Sequence, residues 1–172
     1  LTGSPYPSAL FNAIMLRIRA DREINYCKSS IIKAYLSRKY RSQEKYKEVL
    51  VMSLNEQSTN RAYVLGRLFA VLEKAQKDAS DGNLNTTIKD RYFSSACATP
   101  ANVFPILLRL AQHHISKSDY GYQTDKKIEQ IMNLLDVENN PIPTHLSLEE
   151  QGIFALGYYH QRNAEYTSKK VN

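Results

Sequence analysis

The stretch from Ile88 to Lys117, IKDRYFSSACATPANVFPILLRLAQHHISK, gathers Ser94, Ser95, Cys97, His113 and His114, the residue types of nucleophilic hydrolysis. A serine or cysteine nucleophile needs a base within hydrogen-bond reach and usually a carboxylate that orients it. No GxSxG elbow surrounds either serine, and small residues just before Thr99 equally suit a tight turn. His113 and His114 are adjacent, so on one helix they point about 100° apart and cannot chelate as an i, i+4 pair would. This spacing reads His114 as core and His113 as surface. His145 and His160 stand alone, and the acidic pairs Glu149-Glu150 and Asp78/Asp81 lack the ligand spacing of a calcium loop. No glycine-rich phosphate cradle is present. The expectation is a noncatalytic protein with no metal and no cofactor.

The second chemical pattern is cationic. Tyr63, Arg67, Ala70, Lys74 and Lys77 recur at four- and three-residue steps, which sets an aromatic ring and three cations along one helix stripe. Such a stripe suits a phosphate backbone; it equally suits a solvated face, since Glu73 and Asp78 are beside it. Arg61, Lys89, Arg91 and Arg109 extend the set of candidate nucleic-acid contacts.

These side chains must be carried by one domain of ordinary composition. The 172 residues are 42% hydrophobic and 23% charged, enough for one real core and too few for two large ones. Leu1 to Val51 hold ten Lys/Arg against four Asp/Glu, whereas Met52 to Asn172 hold thirteen of each, so the whole net charge of +6 belongs to the first segment. A basic block of that kind suggests a polyanion partner, although a solvated helix face is the commoner cause of a local charge excess. Cys27 and Cys97 form no CxxC or Cys/His cluster, which reads as a reducing cytoplasm. No apolar run reaches the roughly 20 residues that span a bilayer, so no membrane role is expected. Leu1 in place of an initiator methionine implies a cut into a longer chain.

The elements read as almost wholly helical. Leu10, Phe11, Ile14, Met15 and Ile18 form one apolar stripe, and Ile24, Cys27, Ile31, Ile32, Tyr35 and Leu36 a second. A polar stretch then interrupts the periodicity, with residues 49–52 as a short extended piece. A third helix follows Ser58 to Asn60, with Val64, Leu65, Leu68, Phe69 and Leu72 inward, and stops at Asp81-Gly82-Asn83. Ile88, Tyr92 and Ala96 share the face of a short helix. Thr99-Pro100 supplies an N-cap and a first-turn proline for the next, whose rows Val103/Leu107/Leu110/His114 and Phe104/Leu108/Ala111/Ile115 must be buried. Another helix spans Tyr122 to Leu135, ended by Asn139, Asn140, Pro141 and Pro143. The last starts at a capping box between Ser147 and Glu150, and Gly152, Ala155 and Gly157 along it permit close packing. The expected architecture is all-α, a helical bundle over 52–172 with an additional basic N-terminal helical pair over 1–51.

Five ordered blocks, LTGSPYPSALFNAIMLRIRAD, INYCKSSIIKAYLSRKY, STNRAYVLGRLFAVLEKAQ, RYFSSACATPANVFPILLRLAQHHISK and LSLEEQGIFALGYYHQR, resemble the carboxy-terminal part of the type I-C (Dvulg subtype) CRISPR Cascade large subunit. The resemblance covers nearly the whole chain and rests on no catalytic signature. It implies a helical domain of a prokaryotic, cytoplasmic antiviral defence complex that uses guide RNA to find DNA, opens the duplex into an R-loop and recruits a separate helicase-nuclease. It also implies a small subunit made by internal translation of the large-subunit gene, with Met52 as the candidate internal start. Lys47-Glu48-Val49 can be encoded AAG-GAG-GTN, a purine-rich ribosome-binding sequence, and 52–172 is expected to fold alone.

Two functional readings follow, with a hydrolase or nuclease as the third. The first is a noncatalytic domain whose partners are other Cascade subunits, the guide RNA complex and target DNA, above all the displaced single strand, held by Arg61, Arg67, Lys74, Lys77, Lys89, Arg91 and Arg109 without base-specific bonds. The alternative is a purely structural protein-protein interaction bundle.

Overall fold

The computed structural model describes residues 30–36, 53–80 and 84–168. Among the described residues there are six helices and no strand, as an all-α chain requires: α1, helical over 30–36, then α2 (Arg61–Asp78), α3 (Ile88–Ala98), α4 (Pro100–Ile115), α5 (Gly121–Leu135) and α6 (Leu148–Ser168). The helix expected near 10–20, the extended piece at 49–52, the stop at 81–83 and the candidate start Met52 lie outside the described residues.

The helix starts follow local chemistry. Asn60 caps α2 by accepting from the Tyr63 backbone N–H at 3.2 Å. Ser147 and Glu150 close the expected capping box, each side chain accepting from the other's backbone N–H at 3.3 and 2.8 Å. Thr87 and Asp90 make a second box at the start of α3. Pro100 does open α4, but Thr99 does not cap it: its hydroxyl donates backwards to the Ser95 carbonyl at 3.1 Å, tying off the end of α3. A threonine between two abutting helices can serve only one of them.

Helix α2 is the axis of the bundle. It is buried without interruption from Ala62 to Glu73, so the expected division into an apolar face and a solvated face does not hold. The side carrying Tyr63, Arg67 and Ala70 is covered by α6, and two glycines explain how. A Cβ on Gly66 would stand 1.9 Å from the Phe154 carbonyl oxygen, and one on Gly157 would stand 2.1 Å from that of Tyr63. The two backbones therefore touch at their crossing. Above it Phe69, Phe93, Phe154 and Tyr158 pack edge to face at centroid distances of 5.1 to 5.9 Å, joining α2, α3 and α6.

The remaining helices cover this pair. Val103, Phe104, Leu107 and Ala111 turn α4 inward, but Leu110, expected in the same row, is 40% exposed together with Ile106, and His114 is only half-buried. The buried stripe of α4 is narrower than its apolar composition because α4 meets neighbours along one side. On α1, Ile32 and Leu36 are fully buried, and their side chains lie 3.5 to 3.8 Å from where a Cβ on Gly152 of α6 would stand. Arg61 straps the α5–α6 loop to the start of α2, donating to the carbonyls of Asn140 and Pro141 at 2.6 Å each.

Candidate nucleic-acid interface

The seven cations proposed from the sequence divide into structural and surface groups. Arg67 is 4% exposed. Its Nε donates to Gln161 Oε1 at 3.1 Å, and its terminal nitrogen donates to the carbonyls of Glu56 at 2.9 Å and Asn55 at 3.4 Å. Gln161 in turn donates to Glu165 at 3.1 Å, and Lys127 of α5 pairs with Glu165 at 3.3 Å. A single polar chain thus links the segment before α2 to α6 and α5. Arg67 is spent on protein acceptors and cannot share a surface with Lys74 and Lys77.

Those two lysines end the same stripe, where their side chains keep 29% and 31% exposure. Lys74 pairs with Asp78 and Lys77 with Glu73, each one turn away. Glu73 also accepts from the Tyr158 hydroxyl at 2.5 Å, and Tyr158 accepts from Arg162 at 2.7 Å. Burial first, then the Glu73 charge, holds the Tyr158 phenol well above its ordinary range, so it remains a donor. The shallow cleft here is lined by Glu73, Lys74, Lys77, Asp78, Arg162 and Glu165, three charges of each sign. Balanced charge does not attract a polyanion. Lys89 lies over the rings of Tyr158 and Tyr159 at 5.3 and 5.6 Å, and Arg61 is the loop strap.

Arg91 on α3 and Arg109 on α4 are different, since both are exposed. Between Asp90 and Asp119 the chain has no carboxylate, while it carries Arg91, Arg109 and Lys117 with His113 and His114. Arg109 and His113 stand one turn apart on the exposed side of α4, and exposed Lys117 follows in the turn just after it. Sequence reasoning missed Lys117; the acid-free run was the signal that would have found it.

Of the nucleophile set, Ser95 and Cys97 are tied to backbone carbonyls, while Ser94 and His113 are exposed. Ser95 donates to the Tyr92 carbonyl at 3.1 Å, and the Cys97 thiol to that of Gln151 at 3.4 Å. Burial pushes the Cys97 thiol up to about 12. The rings of His113 and His114 stand edge to face 5.9 Å apart. Among the described residues no three His, Cys, Asp or Glu side chains gather as a metal site would need, and no helix is long and apolar enough to cross a membrane.

His160 is the buried group whose shift falls in the mildly acidic range. Its Nδ1 meets the Tyr63 hydroxyl at 2.8 Å, its Nε2 is buried with no hydrogen-bond partner, and burial, with the Lys33 charge, lowers it from 6.5 to about 4. The unfolded chain therefore takes up a proton that the folded chain refuses between pH 6.5 and about 4. Stability from this group is complete above the unfolded value and is lost as the pH falls through that window, by about 3 kcal/mol at most. Urea midpoints measured across the same window should drop for the natural chain and drop less for His160→Gln. Equal drops would show that His160 is not the source.

The described residues define a strand-free helical bundle with a buried charge seam and, between Asp90 and Asp119, an acid-free stretch that exposes Arg91, Arg109 and Lys117. The chain belongs to the family described as CRISPR-associated protein (Cas_Csd1), whose match covers residues 1–166. No curated protein matches it.

Proposed function

We propose that this chain is a noncatalytic helical domain from the carboxy-terminal region of a type I-C Cascade large subunit. It helps assemble the cytoplasmic surveillance complex with other Cas subunits and guide RNA. It also steadies opened target DNA, chiefly the displaced strand, before a helicase-nuclease is recruited. Family membership supports the CRISPR setting; the observation that carries the DNA contact is the acid-free run with exposed Arg91 and Arg109. Exposed cations release counterions when a phosphate docks, and beyond Asp90, the neighbour of Arg91, no carboxylate follows in sequence until Asp119, which favours strand capture without base choice. Of the cations proposed from sequence, these two are retained as principal contacts, with Lys74 and Lys77 able to act only by leaving Asp78 and Glu73.

Replacing Arg91 and Arg109 together with glutamate should weaken binding of the full chain to a single-stranded oligonucleotide. The log–log salt slope should become shallower by about 0.7 for each phosphate that is no longer neutralised. In an assembled complex the displaced strand should become less protected from chemical probing. Unchanged affinity, slope and protection would sink the DNA reading.

The protein-interaction reading is favoured by a specific observation, the 40% exposure of both Ile106 and Leu110 one turn apart on α4. The two readings can coexist on one helix, the apolar pair against a subunit and the basic row against phosphate. We also propose Met52 as an internal start, which intact-mass measurement of the purified native complex would reveal as a separate chain beginning there.

A further inference from the structure

The corner between α4 and α5 carries the two most exposed large hydrophobic side chains among the described residues. Tyr120 is 61% exposed and Tyr122 81%, whereas Tyr63, Tyr158 and Tyr159 are fully buried. Every other Tyr and Phe with a described side chain is buried or half-buried, so rings left this open have faces available for another ring.

The corner is rigid. Gly121 sits between the two tyrosines, and a Cβ there would stand 2.2 Å from the Ile115 carbonyl oxygen, so the turn is closed onto the end of α4. Gly121 N–H donates to the Ser118 carbonyl at 3.0 Å, Tyr120 N–H to Ser118 Oγ at 3.2 Å, and Thr124 N–H to the Tyr120 carbonyl at 3.1 Å. Tyrosines on a fixed turn lose little freedom on binding, since each has only two side-chain torsions.

The surroundings select the ligand. Arg109 and His113 lead along exposed positions of α4 to exposed Lys117 in the turn before this corner, and exposed Lys126 follows Tyr122 by one turn on α5. Asp119 and Asp125 are exposed there too, so the local excess of positive charge is small. Charge alone would hold a strand weakly, and the aromatic faces are what the corner adds. Alternating ammonium groups and open rings fit unpaired bases joined by phosphates. Every base offers a π-face, while a duplex hides its faces in the stack.

We infer that Tyr120 and Tyr122 form a stacking platform for the unpaired bases of a single strand whose phosphates run past Lys117 and Lys126. This deepens the nucleic-acid reading and rests on it. Fluorescence anisotropy of the full chain with a labelled oligothymidylate and with a duplex of the same length tests it. Tyr120→Ala combined with Tyr122→Ala should weaken single-strand binding by about tenfold or more. Duplex binding and the salt slope should stay as they are, and Tyr→Phe at both sites should retain affinity. If the alanine pair binds like the natural chain while Arg91→Glu/Arg109→Glu does not, the platform is wrong and the nucleic-acid reading survives. If the natural chain binds neither probe, both fall. Loss of co-purifying Cas subunits with oligonucleotide affinity intact would make the corner a protein-docking surface and overturn the platform.

Discussion

Gly66→Ala and Gly157→Ala should each destabilise the chain by at least about 3 kcal/mol, the upper range for forcing extra volume into a packed core. In an ordinary helix the same change stabilises by roughly 0.5 to 1 kcal/mol, because alanine removes glycine's backbone entropy. The sign inverts here because the added methyl meets backbone: the Phe154 carbonyl oxygen at 1.9 Å from the Gly66 position, and the Tyr63 carbonyl oxygen at 2.1 Å from the Gly157 position. A carbonyl in a helix cannot swing aside as a side-chain end can, so α2 and α6 must separate. Separation would also open the Phe69–Phe154–Tyr158 cluster and lengthen the bonds of Arg67 and Glu73 across the seam. Gly152→Ala is the internal control. Its nearest neighbours are side-chain carbons of Leu36 and Ile32 at 3.5 Å and beyond, ordinary contact distance, so it should be neutral or stabilising. Urea unfolding of the three variants checks the set. Equal effects at all three sites would mean that the crossing is not as close as described.

Arg67→Glu should cost about 3 to 5 kcal/mol, a large part of the roughly 5 to 15 kcal/mol by which domains are stable. The substitution would bury a carboxylate against the carbonyls of Asn55 and Glu56 and the amide of Gln161, with Glu165 at the far end of the same chain. Arg109→Glu, at an exposed position, should stay within about 0.5 kcal/mol. The pair separates structure from binding. A charge reversal at Arg67 that lowered DNA affinity would be reporting a damaged fold, whereas the same weakening at Arg109 with an unchanged thermal transition would report direct binding. Matched unfolding and binding curves on both variants decide it; an Arg67→Glu chain with natural stability would contradict the burial described for Arg67.

Local signals carried most of the fold. Asn60, Pro100 and the Ser147/Glu150 box lie within one turn of the groups they serve, so spacing alone reveals them. The Thr87/Asp90 box has the same kind of signature. The stripe from Tyr63 to Lys77 was misread for a physical reason. A helical period tells which residues share a side, but not whether that side meets water, and an amphipathic pattern presumes that one side does. From Ala62 to Glu73 helix α2 has no such side, because α6 lies on the polar stripe and satisfies it with Gln161, His160 and the Tyr158 hydroxyl. Leu110 shows the converse, an apolar residue in the expected buried row that the neighbouring helices do not reach.

What the sequence determined by itself is therefore the helices, most of their caps, the concentration of basic charge before Met52, the absence of a known catalytic signature and the family resemblance. Each depends on neighbours along the chain or on composition. Tertiary structure alone decided which cations face solvent. Arg67 and Arg109 are the same residue type on helices of similar length, and only the close approach of Gly66 and Gly157 between α2 and α6 puts the first inside while the second stays in water. Exposure is a property of the whole packing, so no window of sequence contains it.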